Sequence, residues 1–311
     1  MRAKVVRDRI TDIDTYLSHL GGDEPIVFSN LCDRVYHNKI DGYISRSSIV
    51  DYFNSKADYH AYHVAQTVKR DETAAMKLGT LVHTAVLEPH AIDQRYAIIP
   101  DSLLSGPTRS VSSGAAKDWR DDREANGLIV IKEKDLPQVQ AVANAVREFC
   151  PELAAASLKK SYMTEIVVLW TCRITKLKLK LRADIVIDLD DKILCTDLKS
   201  SAYFDEHQLR TKFEGEKLVF QSNHYGYGLE TVFQKPVHFN FLLVRTKGNP
   251  RCRLAKIDPN IERAARFEYM KTLSDLKSSI MNNDWTDKTD NTMAIISPRE
   301  FSYMREERVD A

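Results

Sequence analysis

The sequence predicts an α/β domain with a central mixed β-sheet flanked by helices, and three observations predict it. Lys176–Ser200, KLKLKLRADIVIDLDDKILCTDLKS, reads as two antiparallel strands joined by a tight polar turn at Asp188–Lys192. Helix-like segments at Met76–Pro89, Lys134–Phe149, Lys217–Phe233 and Ile261–Met281 alternate with strand-like runs, the pattern of mixed sheet and helix. Internal repeats, a glycine-rich phosphate loop and a Walker lysine are all absent, which argues against solenoids and nucleotide-binding folds.

Taken in order, residues 1–42 are weakly patterned, with short helical stretches broken at Gly21-Gly22 and Pro25, and are expected to form a peripheral extension. Ser45, Ser47 and Ser48 precede the apolar run Ile49, Val50, Phe53 and Ala57, as at a capped helix start. With Arg46 and Ser47 this start is either a plain cap or a place for a phosphate. MKLGTLVHTAVLEP reads as a helix ending before Pro89. Its stripe is Leu78, Val82, Ala85 and Val86, Gly79 admits a close neighbour, and His83 is a structural imidazole or a metal ligand.

YAIIP and LIVI read as short strands on either side of a long polar loop, SLLSGPTRSVSSGAAKDWRDDREANG, and loops of that length are often functional or mobile. The helix that follows carries Leu136, Val139, Val142, Ala143 and Val146 at helical spacing. Tyr162–Ile174 opens the sheet, with Glu165 at a strand edge from which it can reach the cleft of Asp184. Lys178, Lys180 and Arg182 share a face with Asp184. That row is either a solvated face or a stripe that binds a nucleic-acid backbone. Gln221 and Tyr225 lie on one face of the next helix, Val237–Arg245 and Arg251–Ile257 form a last hairpin, and a charged tail follows the final helix.

Of 311 residues, 43% are hydrophobic and 29% charged, with net charge +1. This suits a globular protein with a substantial core and no global attraction for nucleic acid, so any such partner needs a local basic surface. Five scattered cysteines without a C-x-x-C argue for reduced thiols rather than a disulfide framework or zinc knuckle. MRAKVVRDRITDIDTYL contains acids and no apolar core, so no signal peptide is expected. No apolar run reaches membrane-span length. The expected compartment is the cytoplasm.

Chemistry concentrates in the predicted hairpin. Asp197 and Lys199 are two apart on a strand and share a face, and the hairpin brings Asp184 toward them. Two carboxylates can hold a hard divalent cation, and a neighbouring ammonium can orient a water or neutralise charge at a phosphorane-like transition state. On its own, D-x-K also fits an exposed cross-strand ion pair.

The ordered series SRSSIVDYFNSKADY, GTLVHTAVLEP, GAAKDW, the Glu165 strand, RAD at Arg182–Asp184, DLKS at Asp197–Ser200 and Gln221-x-x-x-Tyr225 resembles the PD-(D/E)xK nuclease superfamily, and within it the RecE-like (exonuclease VIII) phage and prophage recombination exonucleases, related to RecB-type nucleases. The match covers about Ile44–Ile257. RAD stands where the family commonly has R-P-D. The resemblance implies a restriction-endonuclease-like core over residues 43–281, with the extension 1–42 and the tail 282–311 outside it.

It also implies His83, Asp184 and Asp197 as metal ligands and Lys199 as the catalytic lysine. Gln221 and Tyr225 would lie beside the site, with Glu165 shaping the cleft. The implied cofactor is Mg²⁺, replaceable by Mn²⁺, and the implied activity is 5′ to 3′ digestion of double-stranded DNA ends to leave 3′ overhangs for a single-strand-annealing protein. Related enzymes form homo-oligomeric rings, which would let a nearly neutral subunit focus its basic faces into one channel. An endonuclease and a catalytically silent DNA-binding or assembly protein are the alternatives on this fold. The scattered cysteines argue against an iron–sulfur variant.

Overall fold

The structure, a computed structural model of the chain, describes residues 3–38, 40–69, 73–107, 109–149, 161–201, 204–246 and 248–287. The N-terminal half contains β1 (Lys4–Val6), α1 (Ile13–Ser18), β2 (Ile26–Phe28), α2 (Asp33–Tyr36), β3 (Ile44–Ser45), α3 (Arg46–Asn54), α4 (Lys56–Tyr59), α5 (Ala74–Leu87), α6 (Ile92–Arg95), β4 (Tyr96–Ile99), α7 (Gly114–Ala125), β5 (Ile129–Lys132) and α8 (Leu136–Phe149). The C-terminal half contains β6 (Tyr162–Thr171), β7 (Lys178–Asp188), β8 (Ile193–Ser201), α9 (Glu206–Gly215), α10 (Leu218–Phe233), β9 (Val237–Arg245), β10 (Cys252–Ala255) and α11 (Pro259–Asn282). The part of the tail beyond residue 287, and Cys150, lie outside the described residues.

The central sheet runs β1-β2-β6-β7-β8-β9-β10, with β3 on β7, and β4 and β5 form a separate parallel pair. It is mixed as predicted: β6, β7 and β8 are antiparallel neighbours, while β8 and β9 are parallel. The turn between β7 and β8 closes through the Leu189 N–H donating to the Lys192 carbonyl at 2.9 Å. One face of the sheet packs Leu179, Leu181, Ile166, Val168 and Trp170 against α3, α10 and α11. The other face is shared. At one end Val167 and Leu169 meet the N-terminal segment, and at the other Ile185 and Leu198 meet α5 and α8.

That division arises from a break in strand alternation. β6 and β7 pair as Met163↔Val186 and Thr164↔Ile185, then resume at Ile166↔Ala183 and Val167↔Arg182. Glu165 and Asp184 face each other outside the ladder, and Glu165 has φ 52°, a left-handed conformation that costs a non-glycine residue of order 1 kcal/mol. One extra residue in each strand shifts the side-chain parity, so the side that receives Arg182 before the break receives Ile185 after it.

Two expectations need correction. Residues 1–42 are not an appendage of helical stretches: β1 and β2 extend the central sheet, and Tyr16, Phe28 and Val35 are buried there. Three-residue strands are too short to show a period. The polar stretch after YAIIP also contains a twelve-residue helix, α7, capped by Ser113, whose side chain accepts from the Ala116 N–H. Ala116 is its buried residue, so the segment carries almost no apolar stripe from which a helix can be read. Among the described residues no helix is long and apolar enough to cross a membrane.

α10 lies close on the sheet because Gly228 has no side chain. A Cβ there would sit 2.6 Å from Leu181 Cδ2 and 2.9 Å from two atoms of the Trp170 ring. Both neighbours are fully buried and have nowhere to go. Gly228→Ala is therefore expected to lower stability by about 1–3 kcal/mol through overpacking, against an opposing helix-propensity gain of about 1 kcal/mol. Thermal unfolding checks this, and an unchanged melting temperature would show that α10 can lift off the sheet freely.

Candidate active site

The site forms where the sheet opens. β7 and β8 pair from Asp188↔Ile193 to Ile185↔Thr196 and then part, which leaves Asp184 and Asp197 at the fork. Leu198, next on β8, donates its N–H to Asp184 Oδ2 at 2.7 Å. The carboxylate thus replaces the strand acceptor that the fork removes. α5 reaches the fork because Gly79 lies against β8, where an added Cβ would stand 3.3 Å from Ser200 Oγ. One turn later, His83 projects from the same face.

Three side chains converge there: His83, Glu165 and Asp184 each offer a ligand atom, all within 4.8 Å of one another. His83 Nδ1 is 3.6 Å from Asp184 Oδ2. Burial pushes the His83 imidazole below its ordinary value, which favours the neutral form that binds metal. Burial raises Glu165 to about 7 despite the opposing charge of Arg182. Burial, reinforced by the charge of Asp197, raises Asp184 likewise to about 7. Two desolvated carboxylates gain stability when a cation replaces their protons, the neutral imidazole adds a lone pair, and this oxygen-rich donor set fits Mg²⁺ or Mn²⁺.

Asp197, expected as the third ligand, is instead held from two sides. Its Oδ1 accepts from the Gln221 side-chain amide, and the Lys199 ammonium lies 2.7 Å from its Oδ2, off the direction of a good hydrogen bond. The carboxylate is 2% exposed. Gln221 and Tyr225 are both buried beside it on α10, and burial followed by the charge of Asp197 holds the Tyr225 phenol well above its usual value. Glu165, expected to shape the cleft, stands in the converging trio.

Arg46 and Ser47 begin α3, whose N-cap Ser45 accepts from the Ser48 N–H at 3.3 Å as predicted. Arg46 donates through Nη2 to the Glu216 carbonyl, while its buried Nε has no partner. Burial lowers its pKa, and Tyr225 and Asp197 are the charges that oppose this. Arg46 is therefore close enough to feel the charges of Tyr225 and Asp197, with its buried Nε unpaired.

The basic stripe on β7 is not a free surface. Lys180 is buried, donating to the carbonyls of Tyr36 and Asn38 at 2.9 and 3.2 Å and to Asp41 Oδ2 at 2.9 Å. Arg182 pairs with Asp33 and, through Nε at 3.0 Å, with Glu165. Lys178 alone of the three remains exposed, over the Tyr43 ring. The N-terminal segment, whose role the sequence does not reveal, takes up the other two charges.

His83 and Glu165 open into a cleft of about 1370 Å³, bordered by α5, by Asp33 and Arg182, and by His207, Gln208, Thr211 and Lys212 of α9. Arg95 grips Glu88 with two contacts, at 2.7 and 3.0 Å, on the cleft wall. The α9 residues and this pair escape sequence reading because nothing in their spacing separates them from ordinary surface polarity.

Residues 45–297 match the family described as a PDDEXK-like domain of unknown function (DUF3799). No curated protein sequence matches the chain. Among solved structures, a "putative exonuclease" from Eubacterium rectale superposes with a TM-score of 0.52 at 12% identity, covering 90% of this chain and 99% of that one. At that identity the likeness concerns the fold. A Vibrio cholerae protein, VC1899, aligns at 11% identity over 86% of this chain and 70% of its own with a TM-score of 0.22, too low to carry an argument.

Proposed function

Since the chain belongs to the PDDEXK-like family DUF3799, we propose that it is a Mg²⁺-dependent deoxyribonuclease, a RecE-like exonuclease that digests double-stranded DNA ends from 5′ to 3′. The observation that carries this reading is the convergence of His83, Glu165 and Asp184 at the strand fork, with Lys199 held beside Asp197 one strand away. On this reading residues 43–281 are the nuclease domain, with the segment 1–42 folded into its sheet, working in the cytoplasm of a bacterial host and encoded by a phage or prophage. The 3′ single strands left behind serve an annealing protein, and subunits encircle the duplex as a ring.

His83, Glu165 and Asp184 would hold the ion, with Asp197 as the carboxylate behind them. When bound, Mg²⁺ supplies Lewis acidity and charge neutralisation for phosphodiester hydrolysis. The chain's own groups supply the rest. Gln221 fixes Asp197, Asp197 fixes the Lys199 ammonium, and an ammonium so held can stabilise negative charge on the phosphate without reorganising. Arg46, half-buried at the start of α3, can bind the terminal phosphate through the accessible part of its guanidinium by a charge-assisted hydrogen bond.

The test is digestion of linear duplex DNA labelled separately at each end, compared with a covalently closed circle, with and without Mg²⁺. The expected result is Mg²⁺-dependent loss of the 5′ label from linear DNA and an intact circle. A cut circle would make the protein an endonuclease, and DNA binding without cleavage of either substrate would make it a silent DNA-binding protein.

A further inference from the structure

Asp33 precedes the family-matched residues and yet reaches the site. Arg182 is shared between two carboxylates, with Nη1 on Asp33 Oδ1 and Nε 3.0 Å from Glu165 Oε2. Its guanidinium lies 5.0 Å from the centre of the Tyr36 ring. Two residues back on the same strand, Lys180 pins the same segment through the Tyr36 and Asn38 carbonyls and Asp41, and Tyr16 donates to Asp41 Oδ2 at 2.8 Å. Asp33, Tyr36, Asn38 and Asp41 are thus clamped to β7 by two cations, and Asp33 forms part of the cleft wall.

The residue that this arrangement controls is Glu165. It sits outside the β6–β7 ladder with φ 52°; the register on either side fixes its level opposite Asp184, and what its side chain meets fixes where the carboxylate lies. A guanidinium facing a single carboxylate engages it with two parallel hydrogen bonds. Asp33 takes Nη1 of the guanidinium, so that Glu165 is met through Nε and keeps lone pairs for the cleft. The Asp33 charge also makes the cleft wall more negative, which favours a cation there.

We propose that Asp33 is a positioning residue for the cation site: by dividing Arg182 between itself and Glu165, it keeps the Glu165 carboxylate available as a ligand, so that the N-terminal segment completes the site. This rests on the reading of His83, Glu165 and Asp184 as a divalent-cation site.

The experiment measures Mn²⁺ binding to the full chain by electron paramagnetic resonance, without DNA, for the parent, Asp33→Asn and Asp33→Glu, with circular dichroism to confirm the fold. Loss of a group that orients a ligand typically costs tenfold to a hundredfold in metal affinity, so Asp33→Asn is expected to bind Mn²⁺ about tenfold more weakly and Asp33→Glu to recover most of the loss. A folded Asp33→Asn within about twofold of the parent, well short of that range, would overturn the inference and leave the nuclease reading intact. Equal weakening in Asp33→Glu would also overturn it, since the charge would then not be what matters. A parent that binds no Mn²⁺ would overturn the cation-site reading and the inference together.

Discussion

Lys199→Ala is expected to slow single-turnover cleavage of linear duplex DNA by about a hundredfold or more, with Mn²⁺ affinity at or above the parent's. The geometry separates the two effects. Lys199 is 2.7 Å from Asp197 Oδ2, and Asp197 is buried with its other oxygen on Gln221. Removing the ammonium deletes a cation fixed at the fork, but it leaves a buried carboxylate short of a partner, which costs about 1–3 kcal/mol and makes the fork a better host for a metal ion. A residue that merely supported the fold would move stability and metal binding together. A cleavage rate within about threefold of the parent at saturating Mg²⁺, far short of the loss typical of a preorganised charge, would make Lys199 an ordinary surface lysine. Retention of partial activity by Lys199→Arg would tie the effect to charge.

The hairpin that carries Lys199 is legible in the sequence because alternation and a polar turn are local signals. β7 ends and β8 begins where the turn at Asp188–Lys192 predicts. α5 and α8 are legible for the same kind of reason, since each buries apolar residues at helical spacing. α7 is not, because Ala116 is its one fully buried residue, with Trp119 packed partly beside it.

The site is legible in identity more than in arrangement. Alternation alone places Asp184 on the face of Lys180 and Arg182 and carries that face on along the strand. The unpaired level at Glu165 and Asp184 breaks the rule, and there the β7 carboxylate turns to cap Leu198. Glu165 enters the trio as a consequence of register: with Thr164 on Ile185 and Ile166 on Ala183, it has to stand opposite Asp184. That register depends on β6 and β7 both meeting the same core, a non-local condition that periodicity within either strand does not encode. Which charge neutralises which is also non-local. Asp41 and Lys180 are 139 positions apart, and Asp33 and Arg182 are 149 apart, so the cations on β7 read as a free stripe until the N-terminal segment is folded over them.

That difference makes the second large prediction. Lys180→Met is expected to destabilise the protein by about 3–5 kcal/mol, the usual loss when one member of a buried ion pair is removed. The Lys180 side chain is 8% exposed and Asp41 0%, so the carboxylate keeps only the Tyr16 hydroxyl and the Tyr43 N–H, loses its counter-charge and has no route to water without unpacking the segment. Tyr36 and Asn38 would lose their donor at the same time. Urea unfolding measures the effect, and Lys180→Met combined with Asp41→Leu should recover part of it, because an apolar pair in place of a buried ionic one is often neutral or better. A lysine that bound DNA backbone would behave in the opposite way, with little change in unfolding and a shallower dependence of DNA affinity on salt, by about one unit of slope. Lys178→Ala supplies the contrast within the same strand, since its ammonium is exposed over Tyr43 and its loss should leave unfolding unchanged. A Lys180→Met protein as stable as the parent, with a reduced salt slope, would return Lys180 to the DNA-binding surface and remove the clamp that ties Tyr36, Asn38 and Asp41 to β7.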